Sequence, residues 1–260
     1  MSASRPLFCL VPMLAVACAP GPAGGLDGGA AGDAAAVDGA ARDSDQAGDG
    51  ATDAGASCPA PFGLGILHCD CDQLDDEEWS SSAPYWFDSA LDFGTVGWDE
   101  AALTPGGQTI LAAGNLNEGS LKSEITSYEA LARCEGAIFL KGEDQIGYDD
   151  VDGKKTDLLV EIDGRKVGVS VTRAFHYPPG EPYTAAEAGE LLLDKLADIP
   201  LSAANALPDD AWERSLLGVV AYDAQHAETL ERAWNSLDDL VRADIILYLT
   251  VTDGDDAELY

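Results

Sequence analysis

Apolar and polar positions alternate most regularly over residues 156–173, TDLLVEIDGRKVGVSVTR, where two β-branched runs flank Asp163-Gly164. That dipeptide favours a two-residue turn with positive φ at both positions, so the stretch predicts a β-hairpin. A tight turn fixes the register: Ile162 opposite Arg165, Glu161 opposite Lys166, Val160 opposite Val167, Leu158 opposite Val169, Asp157 opposite Ser170 and Lys155 opposite Thr172. Directly opposed side chains share a face. Leu158, Val160, Ile162, Val167, Val169 and Val171 therefore want a core, and Lys155, Asp157, Glu161, Lys166, Ser170 and Thr172 form a polar face with Leu159 and Gly168.

Around the hairpin the periodicity changes from two to 3.6. Leu121, Ile125, Tyr128, Leu131 and Ala132 recur at helical spacing over 120–134, with Glu124 at the boundary of that stripe. Residues 137–141 form a short apolar strand. The run DDVDG at 149–153 hints at a calcium loop, but its alternation is incomplete, so we expect a solvated turn. Thr184 and Glu187 make a capping box that starts a helix through Leu191, Leu192, Lys195, Leu196 and Ile199 to Pro200. Residues 216–222 read as a buried strand, Asp223 as an N-cap, Ala227, Leu230, Trp234, Leu237 and Val241 as a helix, and 245–251 as a last strand. Helical connections between the late strands imply parallel neighbours in a covered sheet. The stretch 58–118, with Trp79, Tyr85, Trp86, Phe87, Phe93 and Trp98 among Ser, Pro and Gly, is expected to be an irregular aromatic-rich cover over a core at 119–260.

Composition changes what precedes the domain. Residues 1–17 have one Arg5 and an apolar run too short to span a bilayer, the layout of a secretory signal. The run LAVAC ending at Cys18 resembles a bacterial lipobox, which implies a lipidated Cys18, palmitate among its acyl chains, and attachment to a membrane outside the cytoplasm. Ala15 stands where such boxes usually carry Leu. From there to residue 57 the chain is nearly all Gly, Ala, Asp, Pro and Ser, with seven aspartates against Arg42, so 18–57 cannot build a core and reads as an extended acidic tether. In composition it resembles the tethers of myxobacterial lipoproteins.

Residues 58–260 suit a single globular domain. With the tether's charges and Arg5 set aside, 40 acidic residues face 12 basic ones, a net charge of −28. Such a field repels DNA, RNA and anionic lipid, and argues against nucleic acid as a partner. It leaves a protein or small-molecule ligand open. Cys58, Cys69, Cys71 and Cys134 are an even number in an exported chain, which predicts two disulfides, with Cys69 and Cys71 each reaching outward. The C-x-C pair could instead be half of a metal site, but a second pair is lacking. No HExxH, phosphate loop or G-x-S-x-G is present.

The expected fold is α/β with an α+β core: a mixed sheet in the order αβββαβαβ, flanked by helices. That order, with Asp157 opening the second strand, resembles the restriction-endonuclease-like or PD-(D/E)XK superfamily. The runs KTD at 155–157 and GVSVTRA at 168–174 also resemble a mostly eukaryotic group sharing that strand, which implies no particular activity. The superfamily resemblance makes Asp157 and Glu124 Mg²⁺ ligands, yet Ser170, Val171 and Thr172 stand where Glu-x-Lys belongs. Ser170 and Thr172 offer neutral oxygens only, so Glu143 would have to supply a carboxylate and Lys155 the ammonium that positions water. Two functions follow. One is a membrane-tethered domain whose nuclease-like fold is reused for binding or scaffolding; the other is a divalent-metal-dependent hydrolase using Glu124, Glu143, Asp157 and Lys155.

Overall fold

The computed structural model describes residues 65–69, 71–94, 97–114, 119–178, 181–252, 254 and 259. All belong to one compact unit, residues 50–260. The signal at 1–17, Cys18, the tether and Cys58 lie outside the described residues.

Seven strands form one mixed sheet: β1 (Ile66–Cys69), β2 (Tyr85–Asp92), β3 (Ile138–Gly142), β4 (Leu158–Ile162), β5 (Arg165–Ala174), β6 (Arg214–Ala221) and β7 (Ile246–Val251), in spatial order β1-β2-β7-β6-β5-β4-β3. The helices are α1 (Asp76–Ser80), α2 (Pro105–Ala113), α3 (Leu121–Cys134), α4 (Ala185–Asn205), α5 (Ala224–Ser236) and α6 (Asp239–Arg242). From α3 onward the order is αβββαβαβ, apart from the short α6 before β7. β4 and β5 pair antiparallel from Leu158↔Val169 to Ile162↔Arg165. Asp163 and Gly164 both take positive φ, 51° and 76°, as the turn requires. β5, β6, β7 and β2 pair in parallel.

One expectation about the sheet is corrected. The described residues of 58–118 are more than an irregular cover: β1 and β2 extend the sheet, and β2 pairs with β7 from Tyr85↔Ile246 to Ala90↔Val251. A parallel partner about 160 residues away leaves no turn signal beside the strand. The polar face of the hairpin is covered too, with Leu159 and Ser170 1% and 8% exposed. Leu158, Val160, Ile162, Val167, Val169 and Val171 pack under α3 with Ile125, Tyr128 and Leu131. The opposite face packs Ala174, Leu217, Val219, Leu247 and Leu249 against Leu192, Leu196, Ile199, Leu230 and Trp234.

Helix ends also shift. α4 runs through Pro200 to Asn205, whose amide bonds Asp150 and Lys154 and holds the last turn in place. α5 stops at Ser236, so Val241 belongs to the separate α6 and is 38% exposed. Thr184 and Asp223 cap α4 and α5 as the sequence predicts. Among the described residues, a Cys69–Cys134 disulfide ties the end of β1 to the end of α3, and Cys71 Sγ lies 3.1 Å from Cys69 Sγ.

Candidate functional site

β5 runs three residues past Val171, while β4 begins only at Leu158. Val171 therefore has no residue of β4 beside it. Asp157 fills that place: its own N–H donates to Val169 O at 3.2 Å, and its Oδ2 accepts the Val171 amide at 2.6 Å and the Ser170 hydroxyl at 3.3 Å. Val171 O accepts from Lys195 Nζ at 3.2 Å. Both backbone groups of Val171 are thus met by side chains, one acidic and one basic.

Two cavities meet at this point. The first, about 460 Å³, is lined by Ser120, Ser123, Glu124, Glu143, Asp157, Val171, Thr172, Arg173 and Lys195. The second, about 180 Å³, shares Glu124, Glu143 and Asp157 and reaches Ile110, Phe139 and Gln145. Each carboxylate comes from a different element. Glu124 lies in the first turn of α3, buried, and accepts the Ser120 hydroxyl at 2.9 Å. Glu143 opens the 3-10 turn after β3, and Asp157 precedes β4.

Burial pushes the Asp157 carboxyl above its ordinary range, opposed by the Val171 amide and by the Lys195 charge. Burial and then the Asp157 charge push Glu143 up as well, against the pull of Lys155. Tyr148, whose hydroxyl donates to Thr156 O at 3.3 Å and accepts the Thr156 amide at 3.0 Å, is pushed up to about 12, chiefly by burial.

Of the residues singled out in the sequence, Glu124, Glu143, Asp157 and Thr172 line one cavity, and Ser170 bonds Asp157 from behind it. Lys155 is not in that lining. The chain leaves the ladder before Leu158, so the expected opposition of Lys155 and Thr172 is not made, and Lys155 Nζ sits 5.8 Å from the Tyr148 ring centroid. Sequence reasoning missed Lys195 and Arg173, both in the cavity wall. Arg173 lines the cavity with its guanidinium 5.3 Å from the Phe175 ring. The signal for Lys195 was present: Leu192, Lys195, Leu196 and Ile199 fall at i, i+3, i+4 and i+7, so the lysine interrupts the stripe that faces the sheet.

The donor set is all oxygen, the chemistry of a hard cation such as Mg²⁺. Among the described residues, the trio of acidic, His or Cys side chains whose donor atoms all lie within 4.8 Å of one another is Cys69, Cys71 and Cys134, not these carboxylates.

Fold and pocket together define a mixed α/β protein with three carboxylates and a helix-borne lysine at the open end of its central hairpin. No protein-family model matches the chain. A stretch of 154 residues, 56% of the chain, is 30% identical to the "AAC-rich mRNA clone AAC4 protein" of Dictyostelium discoideum; the match covers only 22% of that protein's length. Among solved structures, Pyrococcus furiosus SfsA in complex with Ca²⁺ aligns with 52% of this chain and 57% of its own, at 16% identity and a TM-score of 0.24, a likeness too slight to carry an argument.

Proposed function

We propose that the chain is a membrane-tethered lipoprotein whose nuclease-like α/β domain binds a small polar ligand at the Glu124–Glu143–Asp157 pocket and does not hydrolyse nucleic acid. One observation carries the reading: the Asp157 carboxylate, the ligand a nuclease would need, instead completes the β5 ladder by accepting the Val171 amide at 2.6 Å. The domain's net charge of −28 and the neutral Ser170 and Thr172 point the same way. Three carboxylates offer acceptors to a ligand rich in hydrogen-bond donors, and Lys195 and Arg173 balance part of their charge. The lipidated Cys18 and acidic tether are part of the proposal and rest on sequence alone.

A metal-dependent hydrolase is the second reading, and Lys195 favours it. The ammonium missing from β5 enters the cavity from α4. Mg²⁺ titration of the full chain, followed by incubation with double- and single-stranded DNA, separates the two. We expect weak Mg²⁺ binding and no cleavage. Mg²⁺-dependent cleavage lost in both Asp157→Ala and Lys195→Ala would establish the hydrolase instead.

A further inference from the structure

β1 ends at Cys69, Cys71 follows two residues later, and Cys134 closes α3; the three Sγ atoms all lie within 4.8 Å of one another. Backbone hydrogen bonds hold the same loop beside the Cys69–Cys134 bond. The Asp72 amide donates to Cys134 O at 3.0 Å, and the Gln73 and Leu74 amides donate to Glu135 Oε2 at 3.0 and 3.1 Å. Three backbone donors thus clamp the Cys71 loop to the end of the helix. Cys69 and Cys134 have Cα atoms 7.0 Å apart, the wide limit for a disulfide, so the frame has room for a larger bridge.

The surroundings favour a cation. The sulfurs sit at the C-terminal end of a 14-residue helix, where the dipole is negative. Glu135 is buried beside Cys134, and its Oε1 has no hydrogen-bond partner. Bare thiolates are disfavoured at such a place unless a cation neutralises them. Three thiolates with no oxygen ligand select a soft ion over Mg²⁺ or Ca²⁺.

We propose that Cys69, Cys71 and Cys134, when reduced, form a three-thiolate site for a soft divalent cation of the zinc class, and that the Cys69–Cys134 disulfide is its closed, metal-free form. A dithiol reductant opens the bond by giving two electrons and two protons to the two sulfurs, and itself leaves as a disulfide. The cation then displaces three thiol protons, giving a complex of net charge −1. Binding needs the reduced thiols, so the site answers to both redox state and metal supply.

The test uses the full chain carrying Cys9→Ser, Cys18→Ser and Cys58→Ser, so that the trio holds the only thiols. After reduction and removal of the reductant, Co²⁺ is titrated in and then displaced by Zn²⁺. We expect one Co²⁺ per chain with a sulfur-to-cobalt charge-transfer band, and none after oxidation. Cys71→Ser should weaken Zn²⁺ binding by more than about tenfold, the loss that even an outer partner of a metal ligand produces. It should leave the Cys69–Cys134 disulfide intact by mass spectrometry of the oxidised chain, which shows that the variant folds. The proposal is overturned if the reduced chain shows no such band, if the oxidised chain binds equally, or if Cys71→Ser leaves affinity and band unchanged.

Discussion

The Asp157 carboxylate accepts the Val171 amide at 2.6 Å, taking the place of a strand neighbour that β4 does not provide. A side chain that completes a ladder is structural first. Asp157→Ala should strand the Val171 amide and the Ser170 hydroxyl and cost about 1–3 kcal/mol, the penalty for unmet polar groups away from water. Asp157→Asn keeps an oxygen in place and should cost less. Urea denaturation of the three proteins checks the order. A fully stable Asp157→Ala would show that the carboxylate is held for chemistry alone.

The same pocket predicts a pH dependence. Asp157 and Glu143 both titrate above their ordinary range, so each binds its proton more tightly in the folded chain than in the unfolded one. Stability from such groups is present below the unfolded value and is lost as pH rises through the folded one. Relative to an Asp157→Asn/Glu143→Gln double variant, the wild type should therefore lose ground as pH rises from about 4 to 7. Thermal melts of both across that range decide it, and a constant difference would remove the shifts.

Glu187 works in the opposite direction. Its carboxylate accepts the Thr184 hydroxyl and amide at 2.6 and 2.8 Å and pairs with His176 Nδ1, which lowers its value from 4.5 to about 2. A lowered carboxyl adds stability above the unfolded value and gives it up as pH falls through the folded one. Wild type should lose its advantage over Glu187→Gln between pH 4.5 and about 2. At neutral pH, Thr184→Ala should cost about 0.5–2 kcal/mol as a lost N-cap. Acid titration followed by circular dichroism reads the first, and chemical denaturation the second.

What could be read from the sequence was what local chemistry decides. Asp163-Gly164 set the hairpin register, and Thr184 and Asp223 marked helix starts, because turns and caps are made by residues a few positions apart. β2 was hidden, since its partner β7 lies far along the chain and its aromatics fit a loop equally well. Pro200 was read as a helix end because the bonds of Asn205 to Asp150 and Lys154 lie about 50 residues away. For the pocket, the separate residues Glu124, Glu143 and Asp157 were legible, but the origin of its lysine was not. Lys155 stands close to Asp157 in sequence, whereas Lys195 shows only as a break in the apolar stripe of α4, and the early end of the β4 ladder leaves Lys155 over the Tyr148 ring rather than in the cavity wall.

Gly168 tests the packing on the far face of β5. A Cβ built there would lie 2.4 Å from Cε2 of Trp212, whose indole is fixed by a 2.9 Å bond from Nε1 to the Ser215 hydroxyl. The ring cannot yield without breaking that bond. Gly168→Ala should cost about 1–3 kcal/mol through overpacking, whereas Gly164→Ala meets nothing within 4 Å and is opposed only by its φ of 76°. Thermal melts of the pair should rank Gly168→Ala as the more damaging; the reverse order would mean that Trp212 is mobile.

The tether carries the last prediction, and it rests on residues 1–57 alone. An apolar run ending at Cys18, followed by a stretch with seven aspartates and almost nothing to bury, suits a lipid anchor that holds the domain off a surface. One acyl chain binds a membrane only marginally, whereas several on one cysteine attach it stably. Cys18→Ser should therefore move the protein from the membrane pellet to the soluble extracytoplasmic fraction and leave its melting temperature unchanged, since Cys18 lies outside the sheet and its helices. Shortening 19–57 should keep the anchor and bring the acidic domain close to anionic headgroups, which its net charge of −28 opposes. Fractionation and mass spectrometry of the mature N-terminus read both. A wild-type chain that is already soluble, with an N-terminus other than Cys18, would end the lipoprotein reading.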